Sequence, residues 1–333
     1  MKITLFSTKP YDKTFFDNAN RAFGFSMEYL DLPLNRHTAQ LVAGAETACI
    51  FVNDRADAET VSRLAKAGVK LLALRCAGFN NVDLKACQQA GIPVVRVPAY
   101  SPYSVAEHTL ALILTLNRKT HRAYNRVKEG NFSLDGLMGF DLHGKTVGLV
   151  GLGKIGRVTA QILKGLGCRV LGYDVAEHPE ALAIGVEYVP LETLLSASDI
   201  VSLHCPLTPE THHLVNRDTI KQMKKGVMII NTGRGALIDA KAAIWGLKNE
   251  QIGYLGLDVY EEEADLFFED LSARVIKDDT FMRLLTFPNV LITGHQAFFT
   301  QNALLNIAET TLQNIRAFAQ GKPLENEVAL SQG

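Results

Sequence analysis

Nothing limits what this chain can fold into more than the stretch Thr146-Val-Gly-Leu-Val-Gly-Leu-Gly-Lys-Ile-Gly156. Val147 to Val150 is a short apolar run that suits a buried strand, and Ile155 to Leu166 has the periodicity of a helix. The three glycines stand where a strand must turn sharply into that helix. Gly151 permits the turn, Gly153 lets the backbone approach a pyrophosphate, and Gly156 lets the helix pack closely on the strand. The helix N-terminus, with its outward amides, then faces the phosphates. A second strand, Arg169 to Tyr173, follows, and Asp174 ends it, placed to accept from the hydroxyls of an adenosine ribose. A carboxylate there repels the additional phosphate of NADP, so the expected cofactor is NAD.

The fingerprint lies near the middle of 333 residues, which leaves a domain's worth of chain before it. Short apolar runs at Ile3 to Ser7, Met27 to Leu32, Ala48 to Val52, Leu71 to Leu74 and Val94 to Val97 alternate with helical stretches such as Asp57 to Ala67 and Leu84 to Ala90, which predicts a parallel α/β unit. Pro98 and Pro102 mark a hinge, and Ser104 to Gly130 reads as one long helix between domains. After Lys145, strands near Val147, Val170, Ile200, Val227, Tyr254 and Val290 predict a doubly wound parallel sheet. The closing helix, Gln301 to Gln320, has no strand to pair in that sheet and is returned to the first domain. The expected division is 1–100 plus 299–333 for one domain and 101–298 for the dinucleotide-binding one.

A net charge of −1 gives no electrostatic case for nucleic acid or anionic membrane, and 47% hydrophobic with 21% charged residues is ordinary for a globular enzyme. The five cysteines are scattered, form no CxxC pair and read as reduced thiols. Thr109 to Leu116, the most apolar stretch, is too short to span a bilayer, and the N-terminal residues carry no cleavage signature, so a cytoplasmic location is expected. No metal is expected.

Three polar segments follow buried-looking strands, where open α/β sheets place their ligands: Asn231-Thr-Gly-Arg234-Gly, Asp258-Val-Tyr-Glu-Glu-Glu263 and Ile292-Thr-Gly-His295-Gln. The fork of Arg234 can hold a carboxylate, His295 can donate a proton near neutrality, and Glu263 can orient the imidazole and favour its charged form. Together they describe acid-assisted hydride transfer to a 2-oxo acid. Each has a plainer alternative: a surface turn arginine, one of three solvated acids, and a helix-capping histidine.

On these segments, and on Gly151-Leu-Gly-Lys-Ile-Gly156, the chain resembles the D-isomer-specific 2-hydroxyacid dehydrogenases along nearly its whole length. The resemblance implies a Rossmann cofactor domain inserted in a flavodoxin-like substrate domain built from both chain ends, and a homodimer or dimer of dimers. It assigns Arg234 to substrate binding, His295 to acid/base work and Glu263 to the histidine, and by spacing from Asp258 it selects the third of the consecutive glutamates. The implied cofactor set is Gly151, Gly153, Lys154, Ile155, Gly156, Asp174, Cys205, Pro206, Thr211, Thr232, Gly233 and Asp258. Ala77, Gly78 and Phe79 resemble the loop whose amides receive the substrate carboxylate. Tyr100 and Phe298 resemble residues that crowd the pocket of lactate-forming members, or else they are ordinary packing. Pyruvate is therefore the expected substrate, ahead of bulkier 2-oxo acids, with hinge closure near Tyr100 and Phe299. A non-catalytic NADH-sensing scaffold is the expectation from another class.

Overall fold

The computed structural model describes residues 1–42, 44–263 and 266–328. The chain divides into two compact units, Met1–Ser101 with Phe298–Gly333, and Pro102–Ala297. Ser101 and Phe298, expected in the dinucleotide-binding domain, thus fall with the terminal unit, and residues 329–333 lie outside the described residues.

The first unit runs β1 (Lys2–Leu5), α1 (Pro10–Asn20), β2 (Ser26–Tyr29), β3 (Thr47–Ile50), α2 (Ala58–Lys66), β4 (Leu71–Leu74), α3 (Leu84–Gln89) and β5 (Val94–Val95). All its strands pair in parallel in the order β2-β1-β3-β4-β5, the flavodoxin-like winding that the resemblance implies. Every residue of β3 and β4 is buried, which is why those strands read as unbroken apolar runs. Several strands stop short of their apolar runs. At β1 the cause is visible, since Ser7 takes a left-handed φ of +51° and turns the chain out of the sheet. Arg75, directly after β4, is 1% exposed; its Nε lies 3.3 Å from Asp12 Oδ1 and its Nη2 donates to the Ser7 carbonyl at 2.8 Å.

The second unit begins with α4 (Pro102–Arg118) and α5 (Thr120–Lys128), not the single helix expected over Ser104 to Gly130. Lys119 between them has φ +50°. The Asn117 amide donates to the carbonyl of Phe140 at 2.7 Å and accepts from its N–H at 2.8 Å, while a Cβ on Gly139 would come within 2.8 Å of the Asn117 carbonyl. The returning strand of chain therefore occupies the space of the next helical turn. A single-residue break leaves the apolar periodicity almost in phase, so the sequence did not report it.

After these come β6 (Thr146–Val150), α6 (Lys154–Gly165), β7 (Arg169–Tyr173), α7 (Pro179–Ile184), β8 (Glu187–Tyr188), α8 (Leu191–Ala197), β9 (Ile200–Leu203), α9 (Arg217–Gln222), β10 (Val227–Asn231), α10 (Ala240–Lys248), β11 (Ile252–Leu257), α11 (Asp279–Leu285) and β12 (Val290–Ile292). The strands pair in parallel as β12-β11-β10-β9-β6-β7-β8. The winding reverses between β6 and β9, which makes the carboxyl ends of those strands the topological switch point. The two-residue β8 was not foreseen; it is too short to carry a pattern. In α6 the buried residues Gly156, Thr159, Ala160 and Leu163 follow helical spacing and seat one face on the sheet.

The last helix, α12 (Gln301–Ala319), packs on α1 and β4 and so joins the first unit, as its lack of a partner strand predicted. Beyond it, Arg96 N–H donates to the Asn326 carbonyl and Val328 N–H to the Val94 carbonyl, so the chain end covers the open edge of β5.

Candidate active site

The dinucleotide end is built by the turn after β6. Gly151 has φ +95°, where a side chain is strained, and a Cβ there would lie 2.5 Å from the Cys205 nitrogen. A Cβ on Gly156 would lie 2.1 Å from the Gly151 carbonyl oxygen, so α6 can approach β6 only with glycine. A Cβ on Gly153 would meet nothing within 4 Å, and no side chain caps the helix that this residue opens. The fold itself makes no demand for glycine at Gly153, whereas a phosphate drawn up to uncapped amides does. Lys154 and Ile155 form the first turn of that helix. Asp174 follows β7, and its Oδ2 accepts the Leu152 N–H at 2.6 Å, fixing the acid beside the glycine turn. These features fit a dinucleotide.

Cys205, Pro206 and Thr211 lie in the loop after β9. The Thr211 hydroxyl donates to the Pro206 carbonyl at 2.7 Å and accepts the Thr208 N–H at 2.8 Å, so the loop is braced from within. Burial pushes the Cys205 thiol up to about 11, which keeps it protonated and unreactive.

Arg234, Glu263 and His295 stand on loops after the neighbouring strands β10, β11 and β12, in that order. The buried Asn231 shapes the first loop, accepting the Gly233 N–H at 3.0 Å and donating to the Arg234 carbonyl at 2.8 Å. Thr109 spends its hydroxyl proton on the Val105 carbonyl, so the Thr232 hydroxyl donates to Thr109 across 2.9 Å. A Cβ on Gly235 would fall 2.1 Å from the Tyr260 carbonyl carbon, which shows how tightly the Arg234 loop lies on the next one.

Of the three consecutive glutamates, Glu263 is the one bonded to His295: its Oε1 is 2.8 Å from Nδ1, and its Oε2 accepts the Tyr260 N–H at 2.9 Å. Glu261 instead meets His213 Nε2 at 2.6 Å. With Nδ1 of His295 as the donor in this contact, the ring is oriented through one nitrogen and Nε2 is the other. Asp258 is fully buried. Its Oδ1 accepts from Thr293 Oγ1 at 2.5 Å and from Gln296 N–H at 2.9 Å, its Oδ2 accepts the Ala297 N–H at 2.8 Å, and its carbonyl accepts the His295 N–H at 2.7 Å. Its position makes it the anchor of the histidine loop. His295 itself is held at φ +54°.

The residues expected on the substrate side lie in the first unit. The Ala77 carbonyl accepts from Arg96 Nη1 at 2.9 Å, and the Arg96 guanidinium stacks 5.2 Å from the Phe79 ring, leaving Gly78 between two anchored neighbours. Tyr100 and Phe298 meet edge to face at 6.3 Å, and Phe298 lies 5.8 Å from Phe51, whose ring carries the Arg75 guanidinium at 4.8 Å.

Three site neighbours were missed in the sequence. His108, on α4, has Nε2 3.0 Å from Thr293 Oγ1 and 3.2 Å from Asp258 Oδ1, and Phe268, at φ +68°, sets its ring 5.6 Å from that of His295. Thr293 belongs to the polar segment already marked after the last strand, though no role was read from it, and the polar run Glu107-His108-Thr109 in α4 was the available signal for His108; for Phe268 there was none, since it acts only through distant residues.

Residues 110–297 match the family model described as "D-isomer specific 2-hydroxyacid dehydrogenase, NAD binding domain". D-lactate dehydrogenase of Escherichia coli is 55% identical over 328 residues, 98% of this chain and 100% of that one. Among solved structures, the apo form of D-lactate dehydrogenase from Escherichia coli superposes with a TM-score of 0.91 at 52% identity, covering 99% of this chain and 100% of that one. D-lactate dehydrogenase with NAD+ from Lactobacillus jensenii gives 0.83 at 31% identity, covering 99% and 100%.

Proposed function

Since the chain belongs to the D-isomer-specific 2-hydroxyacid dehydrogenase family, we propose that it is an NAD-dependent D-lactate dehydrogenase, reversibly reducing pyruvate to D-lactate. The observation that carries the reading is the Glu263–His295 pair at 2.8 Å, one strand away from Arg234, on the carboxyl ends of a dinucleotide-binding sheet. The D configuration and the choice of pyruvate are supported by the activities of the relatives.

Gly151, Gly153, Lys154, Ile155 and Gly156 would hold the pyrophosphate, Asp174 the ribose, and Cys205, Pro206, Thr211, Thr232, Gly233 and Asp258 the walls around the rest. When bound, NADH supplies the hydride for the carbonyl carbon. Arg234 takes the substrate carboxylate in its planar fork and polarises the neighbouring carbonyl. The substrate roles of Ala77, Gly78, Phe79, Tyr100 and Phe298, all in the first unit, rest on the family resemblance. His295 hands the proton on Nε2 to the carbonyl oxygen as negative charge develops there, and Glu263, bonded to Nδ1, balances the imidazolium. In the reverse direction the neutral imidazole takes the hydroxyl proton back.

No described helix is long and apolar enough to cross a membrane. A cytoplasmic homodimer, or a dimer of dimers, is the state we propose, with the exposed Tyr124, Phe132, Leu134 and Met138 of the second unit as the side chains to test for association.

The test is NADH oxidation with pyruvate, with the product resolved by chiral chromatography. Rapid turnover to D-lactate is expected. Turnover only with 2-oxoisocaproate or phenylpyruvate would keep the mechanism and overturn the pocket assignment. Inertness toward every 2-oxo acid, with NADH still bound, would favour a sensing scaffold.

A further inference from the structure

The loop after β9 and the loop after β11 meet at a second cluster that no step above uses. His212 and His213 stack with ring centroids 3.9 Å apart, and Glu261 closes on His213. One ligand atom from each of the three lies within 4.8 Å of the others. We infer that His212, His213 and Glu261 form a regulatory site for a borderline transition cation, with Zn2+ as its probe.

The donor set decides the class of ion. Two imidazoles and one carboxylate suit Zn2+, Ni2+ or Co2+, whereas Mg2+ and Ca2+ seek oxygen ligands. Zinc bonds of about 2.0–2.2 Å place tetrahedral ligands roughly 3.3 Å apart, so the three atoms need to move by only about an ångström. Two are already fixed: His213 sits at φ +51° with its N–H on the Ala236 carbonyl at 2.8 Å, and Glu261 is in a part-buried turn. His212 is exposed and can swing onto the ion, leaving a fourth position open to water.

The ion's place in the fold gives it a consequence. His213 N–H is bonded two residues beyond Arg234, and the Tyr260–Glu261 peptide supports Gly235, where a Cβ would be 2.4 Å from the Glu261 nitrogen. Glu263, which holds His295, is two residues beyond Glu261. A cation inserted between His213 and Glu261 must widen their 2.6 Å contact. That strain reaches the seats of both Arg234 and Glu263, so binding lowers turnover reversibly. This coupling, though not the binding, rests on the roles proposed for Glu263 and His295.

The experiment is calorimetric titration of the tag-free enzyme with Zn2+ in the absence of substrates, followed by turnover with pyruvate before and after chelation. One Zn2+ per chain is expected, with turnover falling on binding and recovering with chelator, and with no comparable binding of Mg2+. His212→Ala and His212→Asn should fold, keep metal-free turnover, and lose zinc affinity by more than the roughly ten- to hundredfold that a group behind a metal ligand contributes. No binding, or equal binding by these variants, overturns the site. Binding that depends on His212 but leaves turnover untouched overturns the coupling. Binding that depends on His212 in an enzyme inert to pyruvate would instead overturn the proposed reaction and leave the site standing.

Discussion

At His295 backbone strain and the proposed proton donor fall on one residue. Its left-handed backbone costs a non-glycine residue on the order of 1–3 kcal/mol, and the Asp258 carbonyl, the Asp258 carboxylate and Glu263 together hold it there. Replacing the ring by an amide removes the proton donor while leaving the dinucleotide turn intact. His295→Gln should therefore cut kcat by about a hundredfold to ten-thousandfold, with NADH affinity within a factor of about two. Steady-state kinetics and a fluorescence titration check this, and unchanged turnover would remove His295 from the mechanism. In the proposed mechanism Arg234 holds the substrate rather than the proton. Arg234→Gln should chiefly raise KM for pyruvate, and a normal KM would mean that another cation binds the carboxylate. The residue types at these positions were legible from their places after strands, but the assignment among Glu261, Glu262 and Glu263 came from resemblance. In the structure the separate partners of Glu261 and Glu263 distinguish them, and both partners are remote in sequence.

Among elements, α6 and α2 make opposite demands on their first turns. At α6 nothing caps the helix, and the glycines keep its amides open. Gly156→Ala places a methyl group 2.1 Å from the Gly151 carbonyl, so the helix must lift from β6. Overpacking of this kind costs about 1–3 kcal/mol, and NADH affinity should fall at least about tenfold, a result urea unfolding and binding titration can refute. At α2 the Asp57 carboxylate accepts the Thr60 N–H at 3.0 Å and the Thr60 hydroxyl at 2.8 Å, bonds that hold its carboxyl below the usual carboxylate range. A depressed folded value means that the cap stabilises above the ordinary carboxylate pKa and that its contribution is lost as pH falls through the folded one. Asp57→Ala should cost about 1 kcal/mol at neutral pH, and because the residue is partly exposed the charge-dependent share is screened. The difference from the parent protein should vanish in strong acid, and a penalty that persisted in denaturant midpoints there would exclude the carboxylate as its source. Strands and long helices were legible because burial on both faces or on one stripe repeats along the chain. The break at Lys119 was not, because it is imposed by residues 139 and 140 packing back on Asn117.

For the whole molecule, the second unit carries its own reporter. The chain's one tryptophan, Trp245, lies on α10 in the second unit. A ligand at a hundred times its Kd stabilises the state it binds by about 2.7 kcal/mol, which for a unit of this size raises Tm by roughly 5–10 °C. Saturating NAD+ should therefore shift the thermal transition seen by Trp245 fluorescence by that amount, and an unmoved transition would mean that the cofactor does not bind to the fold around it.

By itself the sequence determined the parallel α/β class, the glycine turn with its terminal acid, and the three loops that carry Arg234, Glu263 and His295. These follow from signals confined to a few adjacent residues: apolar period, glycine spacing, a polar residue at a strand end. Only the tertiary structure decided that Asp258 anchors the histidine loop, that His108 and Phe268 stand beside it, that Arg75 is buried against Asp12, and that His212 and His213 meet Glu261. Each of those arrangements is a contact between residues tens to hundreds of positions apart, and the free energy of such a contact exists only once the sheets have brought the loops together.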